Sequence, residues 1–569
     1  MIKDELITLI EKAIKKAQRK RDLPKYESPP VTVERPKQAA HGDYSTNIAL
    51  QSARYARMAP MDIARAIVKR LPEAEFIGQV DVAHPGFINI TLDPGWLARQ
   101  VETIRAAGNR WGNVDLGQGK RVQVEYGSAN PTGPLHVGFG RNVVIGDTLA
   151  NVLAAAGYQV QREYYVNDAG TQIQLFGQSL YARYAQLLGQ EVEFPENGYR
   201  GQYIIDWARE IAEAEGDKYL QMDYEEAVQA LAEIGVREKA LGSVRADCER
   251  LSIHYDNWFF ESSLYSEGVF DRVMSLLRQG DHLELREGAV WFKASELGGG
   301  KDEVLIRSTG QPGYFASDIA YHYDKFVRRG FDWVIDVWGA DHQGHVPRMK
   351  AMMRALGLDP ERLTLIIYQL VTLKEAGEDV RLSKRAGTMV RLSEVLDDVG
   401  PDAVRFFLLA SAIDSQMDFD LTLAREQSQE NPVYYVQYAH ARIASILRHA
   451  AERGWTAERY ADGDVSLLAH PSELTLIRKM LELPEVVETA ATKLAPHHLP
   501  HYAQDLAAVF HAFYRDCRVV SSDPADDELT KARLKLVEAS TILLASTSFS
   551  RALVNSASAG SLETTRQSR

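Results

Sequence analysis

The strongest constraint on the fold is the segment VQVEYGSANPTGPLHVGFGRNVVIGD, which runs from Val122 to Asp147. It starts with an alternating strand pattern, passes through a loop rich in Gly, Ser, Asn and Pro, and enters a helix at His136. The helix is predicted to reach Ala156, where Gly157 ends it, and a second strand is predicted from Tyr158 to Val166. This order of strand, polar loop, helix and strand predicts the opening of a doubly wound nucleotide-binding fold.

The start of that helix carries residues suited to binding a nucleotide. A helix N-terminus has unpaired N–H groups and a partial positive charge, so it favours phosphate. Glycines at 138 and 140 allow a ligand to approach the backbone, and His136 can donate a proton to a phosphate oxygen. Residues 130–141 are therefore interpreted as a nucleotide cradle. The alternative is an ordinary capped core helix with a histidine on the surface.

The whole chain divides into three predicted domains. Residues 1–112 combine a helical repeat of apolar residues with a strand at Phe87–Leu92, which indicates an α+β domain. Residues 113–400 form the α/β domain, with a largely helical insertion at about 175–300 and a further single strand from Leu363 to Leu373. Residues 401–569 show no strand pattern and are predicted to be a helix bundle.

Composition narrows the class of protein. The 569 residues are 45% hydrophobic and 25% charged, which is typical of a soluble globular protein, and the net charge of −13 argues against a wholly basic nucleic-acid coat protein. Apolar runs all fall short of the ~18 residues that span a bilayer, and charges interrupt the N-terminus from Lys3, so neither membrane nor export is expected. Two isolated cysteines predict neither a disulfide framework nor a structural metal site. A cytoplasmic protein is expected.

A second basic element follows the predicted strand Leu363–Leu373. The residues RLSKR, from Arg381 to Arg385, place Lys384 248 positions after His136, in a polar loop. A lysine in such a loop can neutralise a triphosphate while its α-phosphorus is attacked. Alone, this motif favours the alternative of a solvated basic loop.

The two elements together resemble the HIGH and KMSKS signatures of class I aminoacyl-tRNA synthetases. The matching residues are ANPTGPLHVGF and RLSKR, and further segments agree with one family: HGDYSTNIAL, YYVNDAGTQI, YFASDIAYH, WGADHQGHVPRMKAM and NPVYYVQYAHAR. The chain is identified as a member of the arginyl-tRNA synthetase family. The resemblance implies a Rossmann-like α/β catalytic domain, an N-terminal α+β domain that contacts tRNA, and a C-terminal all-α helix bundle that binds the anticodon.

The resemblance also implies an activity. ATP activates L-arginine to arginyl-adenylate, and the arginyl group passes to the 3′ end of tRNA(Arg), with release of AMP and pyrophosphate. The expected substrates are ATP with Mg²⁺, arginine and tRNA(Arg), without a structural metal, and a monomer is expected.

Two departures from the family pattern keep alternatives open. Phe139 stands where the HIGH signature has its second histidine, and Arg381 replaces the first lysine of KMSKS. A catalytically impaired, tRNA-binding relative is therefore the alternative function. A small-molecule adenylyltransferase would share the cradle, but it does not need the flanking domains.

Arginine recognition requires carboxylates, because a guanidinium pairs with them in a bidentate fork. Asp318 and Glu125 are the candidates, and Tyr314 lies one helical turn before Asp318. Pairing of these carboxylates with structural arginines, and a core position for Tyr314, are the alternatives. By resemblance, Asn130 holds the α-amino or carboxylate end of arginine. Further arginine-site candidates are His342, Gln343 and, from the N-terminal domain, Asn89.

The resemblance assigns His136 and Lys384 to catalysis. Gly339 and Asp341 resemble the ribose-side segment of the fold, because a glycine allows close approach and a carboxylate accepts a ribose hydroxyl. The complete predicted ATP site comprises Pro131, His136, Gly138, Phe139, Gly339, Asp341, Ser383 and Lys384.

Two sets of residues are candidates for tRNA contacts. The basic run Lys15–Arg21 suits a phosphate backbone, or it is a solvated helix face. Tyr434, Tyr435 and Tyr438 suit stacking on unpaired bases, or they belong to the core.

Overall fold

The computed structural model describes residues 1–380 and 390–546. Within them the chain forms two compact units. The first unit comprises Met1–Gly112, Tyr438–Glu485 and Ala503–Ser546, and the second contains Asn113–Gln437 with Val486–Tyr502.

The strands are β1 (Tyr44–Thr46), β2 (Ile77–Ala83), β3 (Phe87–Leu92), β4 (Arg121–Glu125), β5 (Gln159–Val166), β6 (Asn257–Phe260), β7 (Leu283–Arg286), β8 (Ala289–Phe292), β9 (Glu303–Ile306), β10 (Trp333–Gly339), β11 (Leu363–Tyr368), β12 (Val371–Glu375), β13 (Glu378–Asp379) and β14 (Met417–Asp420).

The helices up to residue 355 are α1 (Ile2–Arg19), α2 (Ile48–Ala56), α3 (Pro60–Val68), α4 (Pro94–Ala107), α5 (Val137–Ala155), α6 (Thr171–Leu187), α7 (Gln202–Glu215), α8 (Tyr224–Ile234), α9 (Leu241–Arg250), α10 (Ser262–Ser266), α11 (Val269–Gln279), α12 (Tyr314–Tyr323) and α13 (Val346–Ala355). Those that follow are α14 (Leu392–Val399), α15 (Pro401–Leu409), α16 (Leu421–Arg425), α17 (Pro432–Glu452), α18 (Ala457–Tyr460), α19 (Pro471–Met480), α20 (Leu483–Lys493), α21 (His498–Asp516) and α22 (Asp527–Ser546).

A five-stranded parallel sheet organises the second unit. Its order is β11-β10-β4-β5-β6, and every neighbouring pair is parallel. The carboxyl ends of parallel strands meet at one edge, and in such sheets ligands bind at the point where the strand order reverses. The predicted Rossmann-like fold is confirmed, with β4, α5 and β5 close to their predicted bounds.

Helix α5 is buried around almost its whole circumference. Its approach to the loop after β4 is so close that a Cβ on Gly146 would lie 2.1 Å from the ring of Tyr126, so only glycine fits there. The side chain of Asn142 donates to Val337 O at 2.9 Å and thereby ties the helix to β10. The start of α5 is consequently fixed against the carboxyl edge of the sheet.

Three strand predictions need correction. The predicted single strand Leu363–Leu373 is two strands in different sheets, because the chain leaves the main sheet after Tyr368 and β12 pairs with β13 and β14. Strand β14 lies beyond residue 400, where no strand was predicted. Strand β6 lies inside the insertion predicted as largely helical, yet it forms the edge of the main sheet next to β5.

The first unit combines the first 112 residues with helices from the last third of the described chain. Strands β1–β3 form an antiparallel sheet in the order β1-β3-β2, and helix α4 packs against α19 and α22. Lys535 on α22 donates to Glu102 on α4 at 2.6 Å, and the Trp111 indole donates to Met480 O at 3.0 Å. The predicted fold class, with an N-terminal α+β region and C-terminal helices, is confirmed.

Within residues 1–380 and 390–546, no helix has the length and apolar character needed to cross a membrane. The same residues contain no cluster of three His, Cys, Asp or Glu side chains arranged to hold a metal ion. Cys248 and Cys517 are buried free thiols.

Candidate active site

The loop between β4 and α5 is held from three sides. Gly127 N donates to the side chain of Asn142 at 2.7 Å, and Ala129 N donates to Tyr164 Oη at 3.1 Å. Tyr203 comes from the insertion and donates to Thr132 O at 2.9 Å. A polar loop that would otherwise sample many conformations is thus preorganised at the sheet edge.

His136 is the N-cap of α5, and its Nδ1 accepts from Gly138 N at 3.1 Å. Because Nδ1 accepts, the neutral ring carries its proton on Nε2, which makes Nε2 a donor. The Phe139 ring packs edge-on against the imidazole, with 4.6 Å between centroids. Phe139 thus contributes packing that orients His136, although it lacks a donor of its own.

A cavity of about 620 Å³ opens at this helix start. Asn130, His136 and Phe139 form part of its lining, together with Tyr199 and Arg200 from the insertion. Of the other residues predicted around ATP here, Pro131 is buried and Gly138 lies in the first turn of α5.

The residues that follow the second signature pair with the backbone of the first. Val137 N donates to Val390 O at 3.3 Å, Leu392 N donates to Leu135 O at 2.8 Å, and His136 forms an antiparallel bridge with Arg391. Arg381, Ser383 and Lys384 lie outside the described residues. The chain therefore returns to His136 only six positions after Lys384.

A second cavity, of about 440 Å³, has one acid, Glu261, and one base, Arg307, in its lining, and a second acid, Asp318, acts on Glu261 from beside it. We call this cavity the acidic pocket. Its lining includes Glu261, Tyr265, Tyr314 and Ser317. Glu261 is only 5% exposed, and burial raises the pKa of its carboxyl to about 7. The hydrogen bond from Ser317 acts in the opposite direction, while the nearby charge of Asp318 raises the pKa further.

Asp318 lies one turn after Tyr314 on α12, and burial raises the pKa of its carboxyl as well. Within the described part of the chain, neither Asp318 nor Glu261 forms a salt bridge. The positive groups that act on Asp318, His322, Arg348 and Lys325, do so without forming a salt bridge to it within the described residues. Two neighbouring, partly desolvated carboxylates without a direct ion pair favour a ligand that supplies one. A planar guanidinium has the charge and the donors to do so.

Asn130 connects the two cavities. Its side chain donates to Gln172 Oε1 at 3.0 Å, and Gln172 lies between Thr171 and Gln174, which line the acidic cavity. The nucleotide cradle and the acidic pocket are therefore adjacent.

Glu125 is in a different environment from Asp318. It is 7% exposed, its Oε2 accepts from Lys325 at 2.6 Å, and its Oε1 accepts from Ser128 at 3.0 Å. Its charge is already paired inside the protein. The partner is a lysine rather than the arginine considered as an alternative in the sequence analysis.

The remaining predicted residues lie elsewhere. Gly339 ends β10, and Asp341, His342 and Gln343 occupy the exposed 3₁₀ turn that follows; none of these four lines either cavity. Asn89 is a buried residue of β3 in the other unit, where it accepts from Ser45 at 2.8 Å. Their roles toward substrate stay predictions.

Glu261 is a candidate that sequence reasoning missed. It follows the short run NWFF, which sits among helical segments and lacks an alternating pattern. A strand interpretation of NWFF would have put Glu261 at the carboxyl end of a parallel strand, where ligand-binding residues are expected.

This combination of a parallel sheet, a histidine-capped helix at its carboxyl edge, and a segment just after the second signature that pairs with the start of that helix defines a class I aminoacyl-tRNA synthetase. Family models agree: residues 100–408 match "tRNA synthetases class I (R), catalytic domain". Residues 4–92 match "Arginyl tRNA synthetase N terminal domain", and residues 436–548 match "DALR anticodon binding domain".

Comparison with known proteins shows to which family of class I synthetases the chain belongs. An arginine–tRNA ligase of Dehalococcoides mccartyi (strain CBDB1) is 50% identical over 546 residues, covering 96% of this chain and 97% of the relative. One from Heliobacterium modesticaldum is 50% identical and covers 91% of this chain and 92% of the relative. The Thermus thermophilus arginyl-tRNA synthetase structure has a TM-score of 0.72 at 26% identity, with 97% of this chain and 99% of that chain covered. The chain belongs to the arginyl-tRNA synthetase family.

Proposed function

We propose that this chain is an arginine–tRNA ligase that activates L-arginine with ATP and transfers it to the 3′ end of tRNA(Arg), releasing AMP and pyrophosphate. The observation that carries the proposal is a pair of carboxylates, Glu261 in the lining of the acidic pocket and Asp318 next to it, neither of which forms a salt bridge among the described residues. The relatives named arginine–tRNA ligase support it, and they give no support to a catalytically impaired relative.

In the amino-acid pocket, Asp318 and Glu261 pair with the guanidinium, and Tyr314 packs against it. Asn130 binds the α-amino or carboxylate end, because it stands between the pocket and the cradle. Glu125, His342, Gln343 and Asn89 keep the roles given in the sequence analysis as proposals.

In the nucleotide site, the N-terminus of α5 and the Nε2 proton of His136 stabilise charge on the phosphates. Lys384 neutralises the charge that grows on the departing pyrophosphate, and Ser383 stands beside Lys384 in sequence. Mg²⁺ enters with ATP as part of the substrate. Pro131, Gly138 and Phe139 shape the seat, and Gly339 and Asp341 accept the ribose.

The reaction needs no covalent enzyme intermediate. The arginine carboxylate attacks the α-phosphorus, a new P–O bond forms, and the bond to pyrophosphate breaks. A terminal ribose hydroxyl of tRNA then attacks the carbonyl of the adenylate, AMP leaves, and the hydroxyl proton goes to the departing phosphate or solvent. Catalysis arises from alignment and charge neutralisation.

The tRNA is proposed to contact both ends of the chain. The exposed basic residues of Lys15–Arg21 on and after α1 suit its backbone. Tyr438 is 39% exposed and stacks with Arg442, which suits an unpaired base, whereas Tyr434 and Tyr435 are partly buried. We further propose a monomer that acts in the cytoplasm.

Aspartate replacement tests this function. Asp318→Asn keeps the side-chain volume but removes the charge that the guanidinium requires, so kcat/KM for arginine is expected to fall by about 100-fold or more. The measurement is charging of tRNA(Arg) with labelled arginine. The matched control is Asp359→Asn, which changes an N-cap of an exposed turn and is expected to leave charging within about twofold. Equal charging by wild type and Asp318→Asn would contradict the proposed pocket.

A further inference from the structure

A buried ammonium lies beside the amino-acid pocket, outside the machinery described so far. Lys325 belongs to the short helical segment Asp324–Arg328 that continues α12, and its side chain is 0% exposed. Its Nζ donates to Glu125 Oε2 at 2.6 Å and to Asp336 Oδ1 at 2.8 Å. The ammonium also lies 4.1 Å from the ring centroid of Tyr321. One cation therefore bridges strands β4 and β10 of the main sheet.

The chain of contacts continues into the substrate-binding helix. Asp336 Oδ2 lies 2.9 Å from His322 Nε2, and His322 Nδ1 lies 2.8 Å from Asp318 O. Both partners of the ring are acceptors, so the imidazole satisfies both only when each nitrogen carries a proton. A continuous path of polar contacts thus joins Lys325 to the backbone of Asp318.

Charge explains why this path matters for the pocket. Without Lys325, Glu125 and Asp336 would be two buried carboxylates without the ammonium that neutralises them, and His322 would be left as the partner of Asp336. Burial raises the pKa of Glu125, whereas Lys325 and His322 hold the pKa of Asp336 well below its usual range despite its burial.

The charged groups around Asp318 come from several elements. His322 and Lys325 lie farther along its own helical stretch, Asp336 comes from β10, and Arg348 comes from α13. Glu261 faces it from the loop after β6. The positive members of this set offset the burial that raises the pKa of Asp318.

We propose that Lys325 is a positioning residue for the arginine substrate. Its ammonium holds Glu125 and Asp336 together, and through His322 it fixes the part of α12 that carries Tyr314 and Asp318, without contact to the substrate. This inference rests on the proposed function for the identity of the substrate. Lys325 is therefore expected to affect the binding of arginine and not the binding of ATP.

The test is the Lys325→Met variant in arginine-dependent ATP–pyrophosphate exchange with tRNA(Arg) present. The KM for arginine is expected to rise about tenfold or more, while the KM for ATP stays within about twofold. The acid limb of the pH profile of kcat/KM for arginine, to which both Glu261 and Asp318 contribute, is expected to move to higher pH, because Asp318 loses a nearby positive charge and its pKa rises. Lys350→Met is the matched control, since Lys350 on α13 donates to two backbone carbonyls, Pro360 O and Leu363 O, and pairs with the exposed Glu361 instead of with a buried carboxylate of the sheet.

If Lys325→Met does not fold, Asp336→Asn tests the same inference. It removes the carboxylate that links Lys325 to His322 and keeps the volume of the side chain. An arginine KM raised about fivefold or more at constant ATP KM would support the inference. An arginine KM within about twofold of wild type, or equal rises in both KM values, would overturn it. Absence of arginine-dependent exchange in the wild type would instead overturn the proposed function.

Discussion

At the scale of single residues, the site depends on a few side chains whose environment sets their chemistry. His136 becomes a donor through Nε2 because its Nδ1 caps the helix, and Phe139 packs on its edge. Burial, together with the neighbouring charge of Asp318, raises the pKa of Glu261 to about 7. Neither property is visible in the residue type alone.

The Phe139→His variant tests the departure from the HIGH signature. If Phe139 only orients His136, a second imidazole of similar width keeps the packing and adds a donor. Activity in ATP–pyrophosphate exchange is then expected to equal wild type within about threefold, or to exceed it. A loss of about tenfold or more, with unchanged thermal stability, would mean that the phenyl ring itself is required.

Glu261 predicts a specific pH dependence. Arginine binds to the carboxylate form, and the pKa of Glu261 is raised to about 7, so kcat/KM for arginine is expected to fall by about tenfold per unit as pH drops below 7. The KM for ATP is expected to change little over the same range. The measurement is kcat/KM for arginine from about pH 5.5 to about pH 8, that is, from about 1.5 units below to about 1 unit above the expected pKa of Glu261. A constant kcat/KM over this range would contradict the role of Glu261.

The raised pKa of Glu261 also predicts that this residue lowers the stability of the protein while it supports activity. A carboxyl whose folded pKa exceeds its unfolded value costs stability as pH rises from about 4.5 to 7, and the cost is complete above 7. Glu261→Gln removes that cost, so it is expected to stabilise the protein by on the order of 2 kcal/mol at pH 8 and by little at pH 4. Urea unfolding at the two pH values measures the difference, and arginine activation is expected to be lost.

At the scale of elements, local patterns predicted the central strand–helix–strand unit, and non-local pairing decided the rest. β4, α5 and β5 carry clear periodicities and a glycine stop. The run NWFF forms strand β6 because it pairs with β5, and residues 417–420 form strand β14 because they pair with β12. Glu261 was missed for that reason, whereas Asp318 and Tyr314 were found from their helical spacing and family resemblance.

The break between β11 and β12 has a physical cause in α5. Arg141 is 0% exposed and donates to Gln369 O at 2.7 Å, Ala412 O at 2.8 Å and Ser415 O at 2.9 Å. Gln369 sits at the break, so one guanidinium holds the point where the chain leaves the main sheet. Burial lowers the pKa of Arg141 to about 10, which still leaves it charged at neutral pH.

Arg141→Met is expected to destabilise the protein by about 3 kcal/mol, because three buried carbonyls lose their donor. Urea unfolding followed by circular dichroism measures this. The control is Arg209→Met, an exposed helix residue paired with Asp206, for which a change below about 0.5 kcal/mol is expected. Similar values for the two variants would show that Arg141 does not hold the break.

At the scale of the whole molecule, the described parts of the nucleotide cradle, the acidic pocket and the Lys325 path all lie within Asn113–Gln437, in one unit. The other unit is built from residues 1–112 and from helices between Tyr438 and Ser546, with Lys535 linking α22 to Glu102 and to Gly463 O. Helices near the C-terminus are therefore part of the same compact body as the N-terminal sheet. The net charge of −13 is compatible with tRNA binding, because binding requires only local basic surface such as Lys15–Arg21.

The central claim is that two carboxylates without a salt bridge, Glu261 and Asp318, lie beside the nucleotide cradle and select a flat cation for adenylation. The most direct test is ATP–pyrophosphate exchange with tRNA(Arg) and each of the twenty amino acids in turn. The account predicts exchange with arginine alone, with lysine slower by about 1,000-fold or more because an ammonium cannot make the bidentate pair. Exchange driven by another amino acid, or none with arginine while tRNA still binds, would contradict it.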